Sequence, residues 1–149
     1  MNKGKPFVGD RAPDFRLPDQ NGEEVSLSDL LGKGPLVIYF YPGDETPGCT
    51  REACSFRDAY EAFKDAGAEV VGISSDPVKS HRDFARRHGL PFILLSDEKE
   101  EVRREFQVPK TLGMIPGRVT YVLDERGIIR YVFSSQIKAR EHINKALEF

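Results

Sequence analysis

One stretch constrains the fold more than any other: residues 35–60, PLVIYFYPGDETPGCTREACSFRDAY. Residues 36–41 are apolar and mostly β-branched or aromatic, the pattern of a strand covered on both faces. Pro42 stops the run. A turn of Gly, Asp, Glu, Thr, Pro and Gly follows, after which Ala53, Phe56, Tyr60 and Phe63 fall at helical spacing. A buried strand therefore feeds a tight loop and then a helix. Cys49 and Cys54, the only two cysteines of the chain, sit where that helix begins.

The rest of the sequence reads as a frame for this unit. Ala12-Pro13-Asp14-Phe15 is an extended entry, because a residue before proline avoids the helical region. Asn21-Gly22 supplies a hairpin turn, with 24–27 as the returning strand and a short capped turn at 28–32. The helix after the central strand is expected over 47–65, ending near Gly67. Residues 69–74 and 92–95 read as strands. Between them Asp76-Pro77 opens a helix as cap and first residue, and Gly89 closes it. Val102 and Phe106 mark a short helix, 108–117 a loop, 118–123 and 128–133 a final strand pair, and 137–147 a closing helix. Alternating units of this kind predict an α/β fold, a mixed central β-sheet flanked by helices, with an N-terminal β-hairpin.

At 149 residues the chain is expected to be one domain, 1–149, large enough to bury a core without disulfide staples. The net charge of −2 is spread over both signs with no basic face, which argues against nucleic acid as a partner. The apolar runs, about six residues at most, are far short of a membrane span, and the N-terminus carries no signal-peptide pattern. The expected location is the cytoplasm. Two cysteines in that reducing setting point to catalysis or metal binding rather than a staple.

Thr46 can cap the helix, with Pro47, Gly48 and Cys49 in its first turn. The unpaired N–H groups and the dipole there favour negative charge, and thiolate is the reactive form of cysteine. The bland alternative is a small buried Cys in an ordinary helix. The second thiol tips the balance. Five residues apart on a regular helix, the two Cα atoms would be about 8–9 Å apart and on different faces, beyond disulfide reach. If they pair, the first turns must unwind, so the bond would be transient. The spacing is not that of a thioredoxin-type motif, and no cofactor or metal is expected: His81, His88 and His142 read as surface residues. Glu52 reads as solvent-exposed, and Arg51 and Arg57 read equally well as helix-surface partners of acidic residues or as groups that tune the thiol.

P-G-D-E-T-P-G-C-T-R-E-A-C closely resembles the active-site stretch of the peroxiredoxins. Pro42, Thr46 and Cys49 meet its Pro-x-x-x-Thr-x-x-Cys core. The continuation through Cys54 resembles the bacterioferritin comigratory protein, or peroxiredoxin Q, subgroup, and A-P-D-F, V-V-G-I-S and G-R-V-T-Y-V-L-D extend the likeness along nearly the whole chain. Gly43 departs from the subgroup, where Lys is common. The resemblance implies a thioredoxin-like fold and a thiol peroxidase for hydrogen peroxide and organic hydroperoxides, serving antioxidant defence and redox homeostasis. Cys49 would be the peroxidatic cysteine and become a sulfenic acid. Thr46 would orient the peroxide, Pro42 shield the site, and Arg118 favour the thiolate and polarise the peroxide. Cys54 would resolve the sulfenic acid as an intrachain disulfide, reopened by thioredoxin, with a monomer sufficing. Two rival readings use the same residues: a redox-switched binding module, and a general protein disulfide oxidoreductase. The four-residue gap and the Pro/Thr cover weigh against the second.

Overall fold

The computed structural model describes residues 8–32, 34–44, 47–106, 108, 110–111, 115–116 and 119–134. The chain begins with a hairpin of β1 (Arg16–Pro18) and β2 (Glu24–Ser26), paired antiparallel with Leu17 opposite Val25. Asp19 turns it: its carboxylate accepts from the backbone N–H of Asn21 at 2.8 Å and of Glu23 at 3.0 Å. A short helix, α1 (Leu27–Leu30), follows directly, capped by a reciprocal Ser26–Asp29 box.

The central sheet has five strands in the order β5-β4-β3-β8-β9. These are β3 (Leu36–Phe40), β4 (Glu69–Ser74), β5 (Ile93–Ser96), β8 (Val119–Leu123) and β9 (Ile129–Ser134). β3, β4 and β5 run parallel, while β8 and β9 are antiparallel to their neighbours, as the sequence order implied. Every residue of β3 is buried, because strands flank it on both sides and side chains pack on both faces. One core lies between the sheet and the hairpin side, around Phe15, Phe40, Phe106 and Tyr121. The other lies under the helices and is aromatic: Tyr39, Tyr41, Phe56, Phe63, Phe84 and Phe92. Gly72 of β4 makes room for this second core, since a Cβ there would stand 2.8 Å from the Tyr39 ring.

The connections refine the sequence expectations. The long helix expected over 47–65 is two, α2 (Pro47–Asp58) and α3 (Tyr60–Asp65), broken at Ala59, whose φ −93° and ψ 2° leave the helical region. The cause is tertiary: past Ala59 the Tyr60 hydroxyl bonds Glu69 at 2.8 Å and Phe63 packs on Phe56, contacts that helical spacing does not encode. Gly67, at φ 78°, ends α3 as expected, with its N–H on the Lys64 carbonyl and that of Ala68 on Phe63. α4 (Val78–His88) starts one residue later than the sequence suggested: Pro77 is its cap and Asp76 faces elsewhere. α5 (Glu101–Glu105) is held at its start by Asp97, which accepts from the N–H of Val102 and Arg103. Residues 108–117, expected as a loop, contain a small ladder of β6 (Lys110–Thr111) and β7 (Ile115–Pro116). The closing helix expected over 137–147 lies outside the described residues.

Candidate active site

The C-terminal ends of the three parallel strands open on one edge of the sheet, where ligand sites of α/β sheets form. An aspartate follows each end: Asp44 after β3, Asp76 after β4 and Asp97 after β5. β3 is continued by Tyr41, whose N–H bonds the Ile73 carbonyl at 3.1 Å. Pro42 then ends the pairing and lies half-buried in the turn. Three residues beyond Asp44, α2 begins at Pro47, so that Cys49 occupies its first turn.

Cys49 is buried, 1% exposed, in the aromatic core alongside Tyr39, Tyr41 and Ala53. Cys54 is half-buried, and both are free thiols. Both belong to the continuous helix α2, so regular geometry holds their Cα atoms about 8–9 Å apart. Below Cys54 the helix is backed by Phe56, which stacks on Tyr39 at 4.5 Å between ring centroids. At its far end Arg57 donates to the His88 carbonyl at 2.7 Å. Thr46 and Arg118, both expected at the site, lie outside the described residues.

Three residues have roles that sequence reasoning did not foresee. Arg103 of α5 is buried at 2% exposure, lies over the Phe40 ring at 5.7 Å and donates from Nη2 to the Tyr41 carbonyl at 3.0 Å. Burial holds its pKa below the ordinary arginine value, and the neighbouring charges of Glu100, Asp97, Tyr121 and Cys49 act the other way. Nothing in the spacing of α5 distinguishes Arg103 from Arg104, which points to the surface. Glu52, expected in solvent, is fully buried, because it shares the inward face of α2 with Cys49, Ala53 and Phe56. His81, expected on the surface, is also fully buried: it lies on the inward side of α4 with Phe84. The charged composition of α4 masked that side. His88 is only partly covered and packs edge-on against Phe84, and His142 lies outside the described residues.

His81 belongs to a polar network around Asp44. The Asp44 carboxylate takes His81 Nδ1 at 2.8 Å, the Ser80 hydroxyl at 2.7 Å and the Tyr41 hydroxyl at 2.6 Å. Its N–H donates to Asp76 at 2.7 Å, and Asp76 also takes the Ser74 hydroxyl. Burial pushes the Asp44 carboxyl up, but the bonds and charge of His81, with the two hydroxyls, outweigh it and hold the pKa below the usual range. Burial, then the Asp44 charge, holds the Tyr41 phenol well above its ordinary value. Ligand atoms of Asp44, Asp76 and His81 converge within 4.8 Å, but all are committed to these hydrogen bonds, and we read a network rather than a metal centre.

This arrangement matches known proteins along its length. Residues 8–132 match the AhpC/TSA family. The chloroplastic peroxiredoxin Q of Sedum lineare is 55% identical over 141 residues, covering 94% of this chain and 75% of that protein. A putative chloroplastic peroxiredoxin Q of Oryza sativa subsp. indica is 53% identical over 146 residues, covering 97% of this chain and 67% of the relative. Among solved structures, the peroxidoxin BcpB of Mycobacterium tuberculosis superposes with a TM-score of 0.89 at 42% identity, covering 96% of this chain and 95% of its own. A cysteine-to-serine mutant of Xanthomonas campestris peroxiredoxin Q gives 0.83 at 34% identity, covering 90% and 88%.

Proposed function

Since the chain belongs to the AhpC/TSA family and is a thiol-dependent peroxidase with a thioredoxin-like fold, we propose that Cys49 is the peroxidatic cysteine and Cys54 its resolving partner. The observation that carries this reading is the placement of Cys49: a thiol in the first turn of α2, beside the end of a buried strand, with a second free thiol five residues on. The start of a helix carries unpaired N–H groups and the positive end of its dipole, and thiolate is the form that attacks peroxide.

The chemistry then balances as follows. The Cys49 thiolate attacks one peroxide oxygen, the O–O bond breaks, and the departing alkoxide or hydroxide takes up a proton. Cys49 is left as a sulfenic acid. The Cys54 thiol attacks that sulfur and releases water as the disulfide forms. A dithiol such as thioredoxin reopens it by exchange and is itself oxidised. Disulfide geometry requires Cα atoms within about 7 Å, so α2 must unwind at its start before the second step. Thr46 would orient the peroxide, Pro42 shield the sulfur and Arg118 polarise the O–O bond, as their match to the peroxiredoxin motif suggests.

We further propose hydrogen peroxide and organic hydroperoxides as substrates, within a single domain spanning 1–149, acting in antioxidant defence and redox homeostasis. The peroxidase is assigned to the cytoplasm as a monomer. Two free thiols call for a reducing compartment, and resolution within one chain needs no second copy. The two plant relatives named above are chloroplastic by name, and no helix among the described residues is long and apolar enough to cross a membrane. The experiment is steady-state peroxide consumption with thioredoxin and its reductase, followed by peptide mass spectrometry after one equivalent of peroxide. The expected product is a Cys49–Cys54 disulfide within one chain. Chains joined through Cys49 with Cys54 free would overturn the pairing.

A further inference from the structure

The network around Asp44 has a geometry that goes beyond holding the fold together. The side chains of His81 and Asp44 are 0% and 2% exposed, so their contact is shielded from water. His81 Nε2 lies 3.0 Å from the Leu95 carbonyl oxygen, which can only accept, so Nε2 carries a proton. Nδ1 lies 2.8 Å from the Asp44 carboxylate, so both ring nitrogens are engaged and the His81–Asp44 contact is buried. The Tyr41 hydroxyl, 3.4 Å from Nδ1, donates to the other Asp44 oxygen at 2.6 Å. From the end of β4 Asp76 also faces the ring, within 4.8 Å, and β5 contributes the Leu95 carbonyl.

A buried polar contact is a poor way to gain stability, since apolar groups of the same volume often do as well. What short bonds to a carboxylate supply is direction. Here four bonds converge on one residue of the loop. Asp44 is tied through its side chain to α4 and Tyr41, and through its N–H to Asp76. Asp76 is tied in turn by its carbonyl to the Ser96 hydroxyl on β5. Cys49 is five residues along the chain from Asp44.

We propose that Asp44 and His81 are positioning residues of the peroxidase site: their buried hydrogen bond fixes the start of the loop for attack on peroxide and stays closed while the start of α2 unwinds. This rests on the reading of Cys49 as the reacting thiol. The pair touches neither sulfur nor peroxide; it acts through the loop. Consequently it governs the peroxide step, which needs the loop and the helix start in register, and spares disulfide closure, which needs the helix start released.

The test separates the two steps in Asp44→Asn by stopped-flow fluorescence, and adds alkylation of Cys49 by iodoacetamide, which needs a thiolate but not an oriented peroxide. The rate constant with hydrogen peroxide is expected to fall about tenfold, alkylation to stay within about twofold, and disulfide closure not to slow, in line with the cost of small misplacements of reacting groups. His81→Gln, which keeps one donor toward Asp44, is expected to lose about threefold in the peroxide step alone, and it decides the matter if Asp44→Asn does not fold. Equal losses in peroxide and alkylation rates, a slowed closure, or no loss would each overturn the proposal. Cys49→Ser tests the underlying assignment separately: retained peroxidase activity there would remove Cys49 from the chemistry whatever the Asp44 ratio shows.

Discussion

The two sides of the turn after β3 are built from different materials. On one side, Tyr41 and Asp44 are tied by directional polar bonds to β4, α4 and α5, through Ile73, Asp76, Ser80, His81 and Arg103. On the other, α2 rests on the packing of Ala53 and Phe56 and is pinned at its far end by Arg57. Polar bonds at short range are lost all at once when geometry fails, whereas apolar contacts slide and reform. Cys49, the proposed reacting thiol, thus lies between a strand end tied by polar bonds and a helix held by packing.

The largest expected effect removes the reacting atom itself. Cys49→Ser should lower peroxide consumption by about a thousandfold or more, as loss of a nucleophile does elsewhere, with Tm nearly unchanged; a coupled thioredoxin assay and a thermal melt check both. Next comes the packing under the mobile side. Phe56→Ala should cost about 3–5 kcal/mol by opening a cavity against Tyr39 and Phe92, measured by urea unfolding. If it also speeds disulfide closure, the contrast between the two sides is sharpened.

Gly72→Ala tests the join between them. The added methyl would crowd the Tyr39 ring, and Tyr39 in turn backs Phe56. A loss of about 1–3 kcal/mol is expected from overpacking, together with altered closure kinetics. Arg103→Met should lower stability by about 1.5–3 kcal/mol, read by urea unfolding, through loss of the bond to the Tyr41 carbonyl, with Arg103→Lys losing less.

The smallest effect is one of pH. The Asp44 carboxyl sits below its usual value in the fold, so its ionisation contributes stability above the unfolded value of about 3.9. That contribution is lost as pH falls through the lower folded value. Acid titration of Tm should therefore show a shallower loss for Asp44→Asn than for the natural chain in this range.

Much of this was readable from the chain. Residues 36–41 declared a strand covered on both faces, and Cys49 and Cys54 lie on one helix, as the pattern after the loop predicted. Glu52 was not legible because the inward face of α2 is set by tertiary packing. His81 and Arg103 were hidden because a polar side chain is exposed by default, and only the tertiary position of its partner reverses that: Asp44 lies 37 residues from His81, and the Tyr41 carbonyl lies 62 residues from Arg103. The break at Ala59 was hidden likewise, since its causes are Glu69 and a ring-on-ring contact.

The bonds of Asp44 and His81 also depend on which strands have already paired. Asp44 meets Asp76 only after β4 has paired with β3 in the register that sets Phe40 opposite Ile73, and His81 meets the Leu95 carbonyl only after β5 has joined. Contacts of such sequence separation form late, because loop closure must precede them. A chain still emerging during synthesis thus carries Cys49 before it carries the anchor that orients it. The reactive geometry arrives with the third parallel strand, and pulse-labelling of thiols during refolding would show it as a late gain in peroxide reactivity.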